Sequence, residues 1–223
     1  MAHVTLAANV GNGTTSYQTV SSRTATDSSG GTTSYVTYEI SATAADGWTF
    51  SHWEYRYTQT AQWSTDSSPS ISGQDWTRLY IGNPGTVEWQ HEADLDYGWM
   101  GTWHSEREYE VRAVFVQATY SVSVQVSSDS PANSGSVTGG GNGFNYNSSC
   151  TVTAFPNSGF IFKKWTTTDS AQAVAVSESA SYTFAVTGNV TLYAHFMSAT
   201  GKLLHGSSGT LLHGSSGTLL YDG

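Results

Sequence analysis

The heptapeptide GWTFSHW, Gly47 to Trp53, returns as GFIFKKW, Gly159 to Trp165, with glycine, phenylalanine and tryptophan at matching places. The likeness runs on either side. ISATAADGWTFSHW (Ile40 to Trp53) aligns without a gap on VTAFPNSGFIFKKW (Val152 to Trp165). Downstream, YEVRAVF (Tyr109 to Phe115) matches VTLYAHF (Val190 to Phe196), and upstream HVTLAAN near Val4 matches YSVSVQVSS near Val122. A repeat of this length means one supersecondary unit built twice. We read modules over 1–117 and 118–198, followed by a tail over 199–223.

The repeated segments alternate apolar and polar residues, as half-buried strands do. Val111, Ala113 and Phe115 share one face of the first closing strand, and Leu192, Ala194 and Phe196 take those places in the second. No sustained helical period appears, and Gly, Ser, Asn and Thr punctuate the chain every eight to twelve residues. The fold class is therefore all-β, two tandem antiparallel modules. VTGGGNGFNYNSS reads as a glycine-rich hairpin connection. Phe50 and Trp53, with Phe162 and Trp165, are expected to pack on Phe115 and Phe196. A sugar-stacking platform would use the same residue types, but recurrence at a fixed distance from the core strands assigns them to the interior. Cys150 alternates with Val152 and Ala154, which makes it a small core residue; as the one cysteine of the chain it forms no internal disulfide.

The second copy, YSVSVQVSSDSPANSGSVTGGGNGFNYNSSCTVTAFPNSGFIFKKWTTT followed by SYTFAVTGNVTLYAHF, resembles the divergent internalin-B-type B-repeat of bacterial surface proteins. The resemblance rests on the G-aromatic-x-F-x-x-W element and the closing T-L-x-A-x-F strand. It implies a small non-catalytic β-module, often in tandem on secreted or surface-exposed chains, with no inherited catalytic residues.

The first copy shares the strands but is longer. Trp to closing Phe takes 196 − 165 = 31 residues in the second copy and 115 − 53 = 62 in the first, so about 54–108 carries an insertion. Five of the eight tryptophans lie there. We select Trp63, Trp76, Tyr80, Trp89, Tyr97, Trp99 and Trp103 as candidate ligand or partner contacts, since interfaces and carbohydrate sites favour rigid aromatics. The other reading of these residues is a local core for a hairpin excursion.

Other chemistry is weaker. Glu92, Asp94 and Asp96 would line one face of a strand, but the spacing lacks the glycine and distal glutamate of a twelve-residue calcium loop. His91, His104 and Glu106 lack a paired-histidine spacing, so no metal site is expected. Hydrolase elbows, zincin helices and phosphate loops are missing, which argues against an enzyme. No cofactor is implied. A formal charge of −9 argues against nucleic acid and anionic lipid as partners. The absence of an 18-residue apolar run argues against membrane insertion. The opening MAHVTLAANVGNG lacks the basic and long apolar regions of a secretory signal. Either a signal has been removed or the protein leaves its cell without one, as phage structural proteins do on lysis.

In the tail, G-[K/T]-L-L-x-G-S-S recurs every eight residues from Gly201. Short T-L-L-H strands joined by G-S-S-G turns would form a meander or add to a neighbouring chain, with Leu203, Leu204, Leu211, Leu212, Leu219 and Leu220 as assembly contacts. The sequence thus points to a structural or assembly protein displayed on a virion or extracellular polymer, with protein partners. The alternative is a surface adhesin or carbohydrate-binding module.

Overall fold

A computed structural model of the chain describes residues 4–199, together with the backbone of 204–205 and 211–212. Three of the leucines expected as assembly contacts, Leu203, Leu219 and Leu220, lie outside the described residues. The chain divides into two compact units, Met1–Ala118 and Thr119–Gly223. Both are built of strands; the one helical element among the described residues is a 3-10 turn, Gly98–Met100.

Ahead of its tail the second unit has seven strands: β8 (Thr119–Val126), β9 (Gly135–Gly139), β10 (Gly141–Asn145), β11 (Ser148–Pro156), β12 (Phe160–Thr166), β13 (Ser181–Val186) and β14 (Val190–Ser198). They form a four-stranded sheet, β10-β8-β14-β12, and a three-stranded sheet, β13-β11-β9. Val122, Val152, Ala154, Trp165, Val186, Leu192, Ala194, Phe196 and Cys150 fill the core between them. Two expectations change. The opening strand β8 runs parallel to the closing strand β14, since the chain leaves and re-enters this sheet in the same direction. The glycine run is not a simple hairpin connection but the crossing from β9 in one sheet to β10 in the other. Gly139, Gly140 and Gly141 all adopt positive φ there. A Cβ on Gly139 would overlap the carbonyl oxygen of Thr151, and one on Gly140 that of Val122, so only glycine fits.

The first unit repeats the plan with longer strands after a short opening one: β1 (Val4–Leu6), β2 (Gly13–Thr26), β3 (Thr32–Ala44), β4 (Trp48–Trp63), β5 (Ser70–Leu79), β6 (Gly85–Asp96) and β7 (Thr102–Gln117). β1 is parallel to β7 as β8 is to β14, and buried Val4 stands where buried Val122 does. The insertion is not a separate excursion. It runs β4 and β7 on to 16 residues each, where β12 and β14 have 7 and 9. β6 pairs with β3 along its length but with β7 only through Glu92–Asp96. One end of the unit is therefore two leaves around a core. Beyond Glu92 the leaves merge into a single sheet, β2-β3-β6-β7-β4-β5. We call this merged part the arm.

The duplicated heptapeptide has the same anatomy in both units. Trp53 and Trp165 are fully buried. Phe50 sits 5.3 Å from Trp53 and 6.2 Å, edge to face, from Phe115. Phe162 sits 5.6 Å from Trp165 and 5.9 Å from Phe196, again edge to face. Each indole N–H donates to a carbonyl in a downstream loop, Trp53 to Gly82 after β5 at 3.1 Å and Trp165 to Ala180 before β13 at 3.4 Å. Gly47 and Gly159 take positive φ before the strand, and their carbonyls accept the N–H of Ala118 and Ala199, both at 2.8 Å. Gly13 and Gly135 leave room for the closing rings of Phe115 and Phe196; a Cβ on either would overlap the ring.

Because each stack is internal to its unit, Trp53→Ala should destabilise the first unit, and Trp165→Ala the second, by about 3–5 kcal/mol. Denaturant unfolding followed by NMR checks this: in Trp53→Ala the indole resonance of Trp165, the one tryptophan of the second unit, reports that unit, and in Trp165→Ala the Trp53 indole reports the first unit while backbone amide resonances of 119–198 report the second. Each variant should leave the other unit's transition in place.

Candidate contact surface on the arm

On β4, β6 and β7 alternate residues face the core, and the same face continues into the arm, where the second leaf is missing. Its residues change from large to small and back. Trp89 and Tyr109 stack at 4.7 Å with nearly parallel rings, closing the core. Tyr38 and His91 join them, Tyr38 Oη lying 3.1 Å from His91 Nε2. Next come buried Ala61, Ala93 and Ser105. At the far end Trp63 on β4 opposes Trp103 on β7, which opposes Leu95 on β6.

The end of the arm is an aromatic cluster. Trp63 meets Trp103 and Tyr97 edge to face, each with centroids 5.1 Å apart. Two turns hold it. Ser64 N–H donates to Thr102 O at 2.8 Å, and Thr102 N–H donates to Ser64 Oγ at 3.0 Å. The Gly98–Met100 turn, begun by Gly98 N–H on Asp96 Oδ1 at 2.8 Å, lifts Trp99 into solvent, where it is 94% exposed. Met100 and Tyr97 beside it are each 46% exposed. Such exposure of an indole and a thioether on a firmly bonded turn is the make-up of a contact surface.

Not all of the selected aromatics belong to it. Trp63, Tyr97, Trp99 and Trp103 come together. Trp89 is corrected to a core residue, 7% exposed and covered by Tyr38, Tyr55 and Tyr109. Trp76 and Tyr80 lie elsewhere on β5 and just after it. Trp76 covers the guanidinium groups of Arg112 and Arg56, with centroid distances of 4.0 and 4.9 Å. Those arginines pair with Glu54 (2.7 Å) and Glu110, forming a cross-strand ladder. The ladder was visible as two E-x-R triplets, Glu54–Arg56 and Glu110–Arg112, which antiparallel pairing brings head to tail. Tyr80 is exposed, with Arg78 5.3 Å from its ring.

The acidic run and the histidines are likewise distributed. His104 Nδ1 is 2.6 Å from Asp94 Oδ1, Asp96 serves the turn, and His91 is buried on the opposite face. Among the described residues no three His, Cys, Asp or Glu side chains are grouped to hold a metal ion. In the tail, Leu204 pairs with Leu212 and His205 with Leu211 as two short antiparallel strands, β15 (Leu204–His205) and β16 (Leu211–Leu212).

The second unit carries a different polar group. His195 on β14 is buried, with Nε2 2.8 Å from Thr166 Oγ1 and Nδ1 2.8 Å from Asp129 Oδ1. Thr166 itself donates to Thr168 O at 2.7 Å. Buried Ser127 contacts both Asp129 and Asp169, so the loops after β8 and β12 are tied to the closing strand. Thr166 is fully buried, which denies its hydroxyl to a substrate. The group is a structural clasp.

Residues 122–200 match the divergent InlB B-repeat domain. That family is a bacterial surface-associated repeat, and the β-rich duplicated architecture is consistent with a surface or structural role. No curated protein and no solved structure gives a significant match. The first unit lies outside the matched segment, yet it shares the heptapeptide stack and the parallel opening and closing strands. No helix among the described residues is long and apolar enough to cross a membrane.

Two outcomes follow. Trp99→Ala should change stability by no more than about 0.5 kcal/mol, whereas Trp89→Ala should cost about 3–5 kcal/mol; thermal or urea unfolding separates them. In the clasp, burial raises the affinity of Asp129 for its proton, but the Ser127 hydroxyl and His195 outweigh it and hold the carboxyl below its ordinary value. Asp169 is lowered chiefly by Ser127. Lowered native values stabilise the fold above the ordinary carboxylate range, and this is lost as pH falls through them. The Trp165 resonance should therefore report weakening of the second unit below about pH 4. Ser127→Ala should flatten that dependence.

Proposed function

We propose that the chain is a non-enzymatic structural protein displayed on a virion or extracellular polymer, with the end of the arm as the face that meets a neighbouring subunit. The observation carrying this is Trp99, 94% exposed on a bonded turn beside the Trp63–Tyr97–Trp103 cluster. Aromatic and methionine side chains concentrate at the energetic centres of protein contacts. The surface-repeat family matched by the second unit supports display outside the cell. In this reading the second unit is a plain spacer, the arm makes the contact, and the repetitive tail anchors the assembly.

A second reading is favoured by the same cluster. Edge-to-face indoles beside tyrosine also suit a neutral sugar, which would make the arm an adhesin or carbohydrate-binding surface.

Mass photometry and electron microscopy of the full chain, set beside a glycan array, test both. The structural reading expects assemblies larger than a dimer that Trp99→Ala or a Trp63→Ala/Trp99→Ala double variant reduces, with folding intact. The glycan reading expects array signal lost in the same variants. Assemblies unchanged by both variants, or a chain that neither assembles nor binds glycan, would overturn the arm as the contact face.

A further inference from the structure

We propose that β2 is a strand-pairing edge, joining two copies of the chain through antiparallel main-chain hydrogen bonds between their Ser21–Thr26 segments. β2 borders the first unit's sheet, bonded to β3 through register pairs from Gly13↔Ala44 to Thr26↔Thr32 and to no strand on its other side among the described residues. From Gln18 to Thr26 all nine residues are exposed. Open edges of this length are templates for another strand, and proteins normally blunt them with charge, proline, bulges or cover.

Among the described residues most other edges are short, charged or covered, and β13 (Ser181–Val186) is neutral but six residues long against the fourteen of β2. β5 carries Asp75 and Arg78, and a register shift interrupts its pairing. β9 and β10 are five residues each. β12 is capped by the segment around Ser177, which exchanges hydrogen bonds with Trp165. β2 has no proline and no acid, and its bulge at Val20 leaves the Ser21–Thr26 run in unbroken register. Its one charge, Arg23, is drawn across the sheet face onto Glu88 at 2.6 Å and over the Tyr35 ring at 4.1 Å. The edge itself is left neutral.

Neutrality also selects the occupant. A chain with a net charge of −9 repels its own copies over most of its surface, but two β2 edges bring no carboxylates together. Serine and threonine hydroxyls both donate and accept, so the edge is complementary to itself, as a twofold contact requires. A strongly charged partner would find nothing on this edge to pair with. The contact is independent of the arm's aromatic end.

The test is the association state of the full chain by analytical ultracentrifugation over a concentration series. The wild type should show a monomer–dimer equilibrium. Ser22→Lys/Thr24→Lys should weaken dimerisation ~10-fold or more by placing like charges across the pairing edge. Ser70→Lys/Ser72→Lys on β5, and Trp99→Ala, should leave the dimer as it is. Circular dichroism of the lysine variants confirms their fold, since all four positions are exposed. A chain that stays monomeric at its highest soluble concentration, or a dimer as sensitive to the β5 lysines as to the β2 lysines, overturns the proposal. Loss of larger assemblies in Trp99→Ala with the dimer retained would separate this contact from the arm's.

Discussion

Each unit depends on one buried indole and the two phenylalanine rings beside it. Trp53 and Trp165 sit where the turn, the strand that follows it, the closing strand and the next loop converge. The rings supply the apolar area and the indole N–H fixes the loop carbonyl. Each large aromatic removes about 150–250 Å² from water, so at roughly 25 cal/mol per Å² one ring contributes about 4–6 kcal/mol before the entropy of ordering it. In the second unit, whose other buried core residues are valines, alanines, Cys150 and Leu192, this stack sets the distance between the leaves. The flanking glycines then follow from it: Gly13 and Gly135 yield space to the closing ring, and Gly47 and Gly159 turn the chain into position.

That stack was readable from sequence because it is local and duplicated. The pairing partners of the inserted segment were not, because they depend on contacts between residues tens of positions apart. A run of five tryptophans looked uniform, although Trp89 and Trp99 have opposite fates. The phase of β6 held the distinction: Val87, Trp89, His91, Ala93 and Leu95 alternate toward the core, while Trp99 falls in DYGWMG, a turn. The parallel opening strand was beyond local reading, since strand direction depends on where the chain crosses between sheets. The glycine run that marks the crossing in the second unit looks the same as a hairpin in one dimension.

The two units also divide the labour of polar groups differently. In the first, charge lies on the outer face as the Glu54–Arg112 and Arg56–Glu110 ladder, with Trp76 lying over it. Such surface pairs contribute little each, but they keep the long strands in register. In the second, the exposed carboxylates of Asp129 and Asp169 anchor on the buried side chains of His195 and Ser127. This clasp holds loops that carry few apolar residues of their own. The same plan is closed by a ladder across the sheet face in one copy and by a clasp from surface carboxylates to buried His195 and Ser127 in the other.

The arm grows out of the first unit by lengthening strands that already exist. Side chains on a strand alternate with a period of two, so one added residue would turn Trp63 and every neighbour beyond it onto the wrong face. Growth must therefore come in pairs of residues, and β4 and β7 must grow together, with β6 and β3 following, for the rows to stay matched. The reach of this protein is quantised: it changes by about 7 Å for each two-residue step in a strand. A lineage adjusting how far its aromatic end stands from the body can do so only in those increments.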